Sequence, residues 1–333
     1  MLSASLLIWL GSKHLNPFKQ DVIDLFSRNR GGHVEHWLYS DTLRRQFSGS
    51  QLWHEFLKAS TDYYVFANEV NLIAKIAPLL STAVPFVDTV VDFGVGDGEA
   101  VNDKVVPILK GLHGVSSYIG VDLSAEFLKT AQLCIAAQFP TISAQGIQTD
   151  FFASSFALPD TRCLGLMLGS TVTNLDMCMG DIFPCSHVVE RLSHLKGLMG
   201  KGNHLLISYD ANADIHSIQA AYSDPYWKRF VTGIMYDVAP ITLGDFSPAH
   251  WKHSAVWNEK AHVLHQCAEA TQDMAFSIDK EAFEIAKGER FVTVNLFKFP
   301  APLFQSMCKE AGFEVKDSYA DYQNRMCLQL LRA

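Results

Sequence analysis

The strongest chemical signal in this 333-residue chain is a cluster of glycines that directly follows a short apolar run. Residues 90–93 have the character of a buried strand, and Gly94, Gly96 and Gly98 come immediately afterwards. Glycines at such a junction let the backbone turn sharply and approach a ligand closely, because no Cβ stands in the way. On its own the pattern is weak, since a glycine-rich turn after a strand is about as often only a turn.

Acidic residues follow the next two apolar runs. Asp122 ends the run at residues 119–121, where nucleotide-binding α/β folds place a carboxylate that accepts hydrogen bonds from both ribose hydroxyls. An acidic residue before a helix is also a favoured N-cap, which is the alternative role for Asp122. Asp150 and Phe151 end the third run, where the carboxylate can receive an adenine amino group and the ring can flank the base.

Together these three pieces predict a cofactor that contains adenosine, bound across successive strand ends. The glycine turn indicates which cofactor it is. Asp92 precedes the first glycine, and Glu99 stands where the G-x-G-x-x-G fingerprint has its last glycine. S-adenosylmethionine has no pyrophosphate to seat on a helix N-terminus, so this turn favours S-adenosylmethionine over NAD. An NAD-dependent oxidoreductase is therefore the weaker alternative.

Short apolar runs that alternate with helical stretches must position these residues. The runs lie at residues 89–93, 117–121, 144–148, 163–168 and 204–208. Such alternation is typical of a parallel sheet with helices on both faces. Residues before 85 show helical spacing. After residue 210 the pattern predicts, in order, a loop-rich stretch, strand-like segments at 253–268 and 290–299, a helix at 302–312 and a last strand at 326–331.

Composition narrows the class further. Hydrophobic residues make up 48% of the chain, which supplies a substantial core and excludes general disorder. The formal net charge of -8, without a Lys- or Arg-rich run, predicts no nucleic-acid partner, because gripping phosphates needs clustered positive charge. The apolar segment at residues 4–10 is too short to span a membrane and lacks a basic start. We therefore expect a cytoplasmic protein with no membrane partner.

Cysteine and histidine give no sign of a metal site. The seven cysteines are scattered and odd in number, which favours free thiols in a reducing compartment. His262 and His265 are three apart in a strand-like stretch and would face opposite sides of it, and no third ligand stands at zinc spacing. The expectation is that no metal is bound.

The glycine turn, Asp122 and Asp150-Phe151 resemble class I S-adenosylmethionine-dependent methyltransferases. Further segments, in order along residues 20–333, are similar to the histidine-specific methyltransferase family, which includes histidine Nα-methyltransferases and dimethylallyltryptophan N-methyltransferases. These segments are residues 37–41, 49–53, 63–69, 168–174, 220–222, 253–258 and 288–299. Each motif is loose, but their joint order is specific.

The resemblance implies which residues form the site. Those expected to line the cofactor are Tyr39, Gly94, Gly96, Asp122, Asp150 and Phe151. Asn174 and Tyr222 fall where the family holds the carboxylate of the amino acid, and both side chains can donate to a carboxylate. Trp53 and Tyr63 fall where aromatic rings close over the substrate. Tyr39, Asn174 and Tyr222 are the candidate catalytic residues.

The substrate residues also have structural alternatives. Asn174 stands where it can cap a helix beginning near Met177. Tyr222 is equally typical of a core tyrosine when the resemblance is set aside. Tyr63 and Tyr64 are consistent with packing alone, and we expect only one of them to face the ligand.

Two departures from the family are informative. Val294 and Leu296 occupy the positions where histidine-methylating members hold the imidazole with a Glu and a Ser. Neither can form a hydrogen bond, so an imidazole nitrogen would be left unsatisfied at a cost of roughly 1–3 kcal/mol. Histidine is therefore not the expected substrate, and an apolar or aromatic side chain fits better. The family's Lys after the glycine turn is also missing, with Ala100 in its place, so cofactor contacts are expected to differ in detail.

These features predict an α/β fold with a seven-stranded, Rossmann-like class I methyltransferase core at residues 85–210, to which residues 301–333 return. Residues 20–84 and 211–300 would form a second, α+β lobe that binds the substrate. The expected reaction is methyl transfer from S-adenosylmethionine to an amine of a small molecule, in a monomer or weak homodimer. The alternatives are methylation of carbon, oxygen or a non-amino-acid amine in secondary metabolism, and a catalytically silent regulatory protein.

Overall fold

The computed structural model describes residues 17–27, 34–39, 48–152, 156–174 and 185–333, and a seven-stranded sheet organises it. In sheet order the strands are β12 (Glu314–Ala320), β13 (Met326–Arg332), β5 (His204–Asp210), β4 (Cys163–Met167), β1 (Thr89–Phe93), β2 (Ser117–Asp122) and β3 (Ser143–Gln148). β1 to β5 run parallel, whereas β13 is antiparallel to both β5 and β12. This order is that of a class I methyltransferase core and confirms the predicted fold class.

Helices precede the sheet and connect its strands. In chain order those of the described residues are α1 (Pro17–Ser27), α2 (Glu35–Leu38), α3 (Gly49–Ala59), α4 (Tyr64–Ile76), α5 (Leu80–Ala83), α6 (Gly98–Ala100), α7 (Val106–Gly111), α8 (Ala125–Gln138), α9 (Cys185–Met199), α10 (Ile215–Ala221), α11 (Pro225–Thr232), α12 (Ile234–Val238) and α13 (Ala301–Glu310). A π-helical segment, Val101–Val105, joins α6 to α7. A 3-10 turn, Thr171–Asn174, follows β4.

The central strands are buried on both faces, as the apolar runs predict. All five residues of β1 are buried. Val91 and Phe93 pack into one core with Leu192 of α9, whereas Val90 packs into the opposite core with Ile73 of α4. Strand side chains alternate between faces, so one strand contributes to both cores.

A second group of strands forms two three-stranded antiparallel sheets. One contains β10 (Glu281–Ile285), β9 (Met274–Ile278) and β6 (Leu243–Gly244). The other contains β11 (Arg290–Phe297), β8 (Val263–Ala270) and β7 (Trp251–Asn258). The ring of Phe26 in α1 lies between them, with centroid distances of 5.0 to 6.2 Å to Phe246, Trp251, Phe276, Phe283 and Phe291. We call this part of the molecule, with α1 to α3 and α10 to α12, the second lobe.

The sequence underestimated the number of strands. The segment at residues 253–268 is a hairpin, β7–β8, whose reversal includes His262 at φ 50°. The β9–β10 hairpin, which was not predicted, turns with Asp279 at φ 53°. Turns of this kind usually carry glycine at positive φ, and its absence hid both reversals. β12 was also missed, because most of its side chains are exposed and give no apolar run.

A β-bulge in β11 orients one part of the second lobe. Val292 pairs with Cys267 and Val294 with Gln266, so Thr293 is an extra residue without a partner in β8. The bulge brings Val294 and Leu296 to the same face as Phe291. Both side chains are buried in the core of the second lobe, which also contains Tyr222.

The predicted division points fall between elements. Residue 85 lies between α5 and β1, residue 210 is the end of β5, and residue 301 is the start of α13. The division into domains itself remains a prediction. None of the described helices has the length and apolar character needed to cross a bilayer.

Candidate active site

The glycine turn lies at the carboxyl end of β1 and extends over β2. Gly94 and Gly96 have φ values of 80° and 67°, a left-handed conformation that residues with a Cβ adopt at a cost. The Gly94 N–H donates to the Val121 carbonyl at 2.8 Å, which holds the turn against the end of β2. Asp97 closes the turn by accepting from the Ala100 N–H at 2.9 Å. The backbone here is open to a ligand, with no side chain on the two glycines.

Asp122 ends β2 beside this turn. One carboxylate oxygen accepts from the Ser124 N–H at 2.8 Å, and Ser124, not Asp122, is the N-cap of α8. The capping alternative for Asp122 is therefore wrong. Burial raises the pKa of the Asp122 carboxyl, and backbone N–H groups of Ser124, Gly96 and Val95 oppose that shift. The N–H groups of the glycine turn thus hold a carboxylate at the point where a ribose diol would lie.

Asp150 and Phe151 follow β3 at the same edge of the sheet. Asp150 is exposed, and its Oδ1 accepts from the Phe152 N–H at 2.8 Å in a local turn. The ring of Phe151 lies 5.5 Å from that of Phe93 at the end of β1. β1, β2 and β3 are adjacent and parallel, so the predicted cofactor residues do converge on one edge.

Asp92 is an acidic residue of this site whose environment the sequence did not reveal. It is 1% exposed and accepts a hydrogen bond from the Tyr118 hydroxyl at 2.9 Å. Burial raises the pKa of Asp92 from 3.8 to about 7, against the opposing effect of the Tyr118 hydrogen bond. The carboxyl therefore titrates near neutral pH directly beneath the glycine turn.

We expect Asp92→Asn to alter the pH dependence of stability. Between about pH 4 and 7 the folded state binds more protons at Asp92 than the unfolded state, so the free energy of unfolding falls as the pH rises. Asparagine removes this loss and retains an oxygen for Tyr118. Denaturant unfolding at pH 5 and pH 8 should show a gain for the variant, relative to the parent, of about 2–4 kcal/mol between the two pH values. An equal difference at both pH values would contradict a raised pKa.

Aromatic side chains predicted at the substrate form a continuous row in the second lobe. Tyr39, after α2, lies 5.9 Å from Trp53 of α3, which lies 6.1 Å from Tyr63. Tyr63 in turn lies 5.6 Å from Tyr222 at the end of α10. His54, next to Trp53, has its Nδ1 3.1 Å from Oδ2 of Asp97 in the glycine turn. The row therefore borders the cofactor edge.

Asn174 ends the 3-10 turn after β4. Gly169 and Ser170 before it both have positive φ, and the Ser170 Oγ accepts from the backbone N–H of Asp210 at 3.0 Å, which joins the ends of β4 and β5. The Asn174 Oδ1 accepts from the Thr173 hydroxyl at 3.2 Å. Its amide nitrogen has no hydrogen-bond partner within the described ranges. The helix near Met177 that Asn174 was suggested to cap lies outside the described residues.

The sequence missed a buried charge pair beneath Tyr222. Lys298, just after β11, donates to Oδ2 of Asp210 at 2.6 Å and to the Tyr222 hydroxyl at 3.3 Å. Tyr64 also donates to Asp210, at 2.6 Å. Lys298 and Asp210 are 2% and 0% exposed. The available signal was a lysine and an aspartate that each follow an apolar strand.

This arrangement orients the hydroxyl of Tyr222. A lysine ammonium has no lone pair, so the Tyr222 oxygen accepts from Lys298 and keeps its own proton for another acceptor. Burial, with the Asp210 carboxylate adding to it, raises the pKa of Tyr222 well above its usual value. Tyr222 therefore stays a neutral donor.

A second buried pair ties α4 to the cofactor side. Glu69 accepts from the Gly169 N–H at 2.7 Å and pairs with Lys104 of the π-helical segment at 2.6 Å. Lys104 lies one turn beyond Ala100, the position where the family's lysine is missing.

Groups of potential metal ligands lie elsewhere than expected. His253 and His265 contact the amide oxygens of Gln266 and Asn295, each at 2.6 Å. Instead, ligand atoms of His54, Asp97 and Glu99 lie within 4.8 Å of one another beside the glycine turn. Exposed acidic groups commonly cluster in this way without an ion, and the absence of a bound metal remains a prediction.

Comparison with known proteins agrees with this geometry. The strand order, the glycine turn and the acidic residues after β2 and β3 define an S-adenosylmethionine-dependent methyltransferase of class I. The model of one family, histidine-specific SAM-dependent methyltransferases, matches residues 18–333, and the chain belongs to that family.

Three relatives show the range of the family. The N-methyltransferase dtpB of Aspergillus flavus is 22% identical over 300 residues, covering 85% of this chain and 81% of the relative. The N-methyltransferase fsqC of Aspergillus fumigatus is 24% identical and covers 79% and 69%. The histidine N-alpha-methyltransferase of Mycolicibacterium smegmatis is 25% identical and covers 82% and 83%.

Proposed function

We propose that this methyltransferase acts on the α-amino group of an amino acid or of a small molecule derived from one. The observation that carries the proposal is the Tyr222 hydroxyl, a buried neutral donor fixed by Lys298 and lying next to a row of aromatic rings. Such a donor, together with the unpartnered amide of Asn174, suits a carboxylate. The N-methyltransferase names of two relatives support nitrogen as the acceptor.

The residues at the cofactor edge fit S-adenosylmethionine. Gly94 and Gly96 leave the backbone bare, Asp122 offers a carboxylate, and Phe151 offers a flat ring beside an adenine. When bound, the cofactor supplies a sulfonium-activated methyl group that a neutral amine nitrogen can displace in line.

The protein's task is then to orient and desolvate the amine. Tyr222 and Asn174 would hold the carboxylate, and Tyr39, Trp53 and Tyr63 would exclude water. No strong base is available among these groups, because Asp210 is neutralised by Lys298, and burial raises the pKa of Tyr39, Tyr63 and Tyr222. The ammonium proton must therefore leave to water before transfer.

Val294 and Leu296 support a substrate other than histidine. Both are buried on the face of β11 that shares a core with Tyr222, and neither side chain forms hydrogen bonds. An apolar or aromatic side chain would pack against them without leaving an imidazole nitrogen unsatisfied.

The direct test is S-adenosylhomocysteine release with a panel of amino acids and their prenylated or decarboxylated forms, with product mass determined in parallel. Turnover of an apolar or aromatic α-amine, with histidine inert, supports the proposal. Efficient histidine turnover contradicts the assignment of Val294 and Leu296. Methyl transfer to carbon or oxygen, visible in product fragmentation, contradicts the acceptor, and cofactor binding without any turnover would favour the silent regulatory alternative.

Tyr222→Phe and Asn174→Ala should each lower kcat/KM by about 10- to 100-fold, because each removes a hydrogen bond to a charged group. The affinity for S-adenosylhomocysteine, measured by calorimetry, should stay within about threefold of the parent, since neither residue belongs to the cofactor edge. Tyr236→Phe, at a tyrosine that is 46% exposed, is the matched control and should change neither quantity. Equal losses in cofactor affinity would remove both residues from the substrate side.

A further inference from the structure

Gln266 lies at the centre of the β11-β8-β7 sheet and is 0% exposed. Its cross-strand neighbours are Ala255 on β7 and Val294 on β11, so it shares a face with Val294. Its Oε1 accepts from Trp227 Nε1 at 3.0 Å, and the ring of Trp227 lies 4.9 Å from that of Tyr222. Gln266 is therefore one side chain away from the proposed carboxylate-binding residue.

The orientation of the Gln266 amide is fixed by its partners. An indole nitrogen can only donate, so the oxygen and not the nitrogen of the amide must face Trp227. Nε2 of His253 lies 2.6 Å from the same oxygen, and burial lowers the pKa of His253, which keeps the imidazole neutral and makes Nε2 a donor. With both contacts made to Oε1, the amide nitrogen has no partner anywhere in the described structure.

A second donor on the same face is also unpartnered. Trp257 pairs across the sheet with Leu264, which in turn pairs with Leu296. This row lies next to the row that contains Gln266 and Val294. The indole nitrogen of Trp257 is buried and finds no acceptor among the described residues. Two N–H donors therefore accompany the two apolar residues predicted to contact the substrate.

Leaving a buried donor unsatisfied costs about 1–3 kcal/mol, and native proteins keep few of them. A ligand that brings an acceptor recovers this cost. We infer that Gln266, with Trp257, selects a substrate whose mainly apolar side chain carries a hydrogen-bond acceptor oxygen, such as an ether, a carbonyl or a sulfoxide. This inference rests on the proposed function and adds a specificity-determining residue to it.

The test uses amino acids in matched pairs that differ chiefly by an acceptor: phenylalanine with O-methyltyrosine, and methionine with methionine sulfoxide. Binding to the S-adenosylhomocysteine complex is measured by calorimetry, and methylation is measured separately. The acceptor-bearing member of at least one pair should bind about 10-fold more tightly, as expected for one hydrogen bond. Equal binding of both members, or binding of none, would overturn the inference.

Gln266→Glu retains the oxygen that accepts from Trp227 and His253 but replaces the donor with an acceptor. The preference should fall below about twofold or reverse. Gln329→Glu is the matched control, because Gln329 is an equally buried strand glutamine in the core sheet whose amide is bonded at both ends. That variant should keep the preference.

Trp257→Phe, which leaves every partner of Gln266 in place, tests the second donor independently and should weaken the preference. A preference that persists in both Gln266→Glu and Trp257→Phe would show that these residues are only structural. Tight binding of an acceptor-bearing amino acid without methylation would instead overturn the proposed function and leave the inference standing.

Discussion

Asp122→Ala is expected to lower the affinity for S-adenosylmethionine and S-adenosylhomocysteine by at least about 100-fold. The carboxylate at the end of β2 is the group proposed to accept from both ribose hydroxyls. Two hydrogen bonds to a charged acceptor are together worth about 3 kcal/mol or more, which corresponds to this factor. Titration calorimetry with S-adenosylhomocysteine measures the change directly, with no need for the methyl acceptor.

Asp88→Ala is the control for this change. Asp88 lies just before β1, at the opposite edge of the sheet, and forms a bidentate ion pair with the exposed Arg162. Its loss should leave cofactor affinity unchanged. If Asp122→Ala also binds normally while remaining folded, the cofactor lies elsewhere and the assignment of the strand-end residues is wrong.

Lys298→Met is expected to lower the free energy of unfolding by about 3–5 kcal/mol. The substitution retains much of the volume of the side chain but leaves the Asp210 carboxylate buried without its counter-charge, and an unpaired buried charge carries a cost of this size. The Tyr64 hydroxyl still donates to Asp210 and offsets part of the loss. Denaturant unfolding of the full chain, followed by circular dichroism, gives the value.

Two further variants separate the charge from simple packing. Adding Asp210→Asn to Lys298→Met removes the orphaned charge and should recover more than half of the loss. Arg162→Met breaks the exposed pair with Asp88 and should cost no more than about 1 kcal/mol. A loss below 1 kcal/mol for Lys298→Met would contradict a tight buried pair, and no recovery in the double variant would assign the loss to packing.

The cofactor edge was readable from the sequence because its signals are local. The glycines after β1 and the aspartates after β2 and β3 each follow directly from an apolar run, and parallel strands bring their carboxyl ends together. Knowing the strand order was therefore enough to predict that Gly94, Asp122 and Asp150 converge.

The substrate side depends on contacts that no local pattern encodes. Lys298 and Asp210 are 88 positions apart, and Tyr64 reaches Asp210 over 146 positions. Gln266 is an ordinary polar residue in an apolar strand until the positions of Trp227 and His253 are known. Such pairings arise from tertiary packing, which is why the aromatic residues were proposed from the family resemblance and the buried charges were missed.

The bulge at Thr293 makes the number of residues in β11, and not only their identity, a determinant of the proposed substrate wall. Without that extra residue, the alternation of the strand would direct Asn295 and Phe297 to the face that now presents Val294 and Leu296. An insertion or deletion of one residue can thus exchange a hydrocarbon surface for an amide in a single evolutionary step. Among related chains, differences in strand length at this point deserve the same weight as substitutions when acceptor preference is compared.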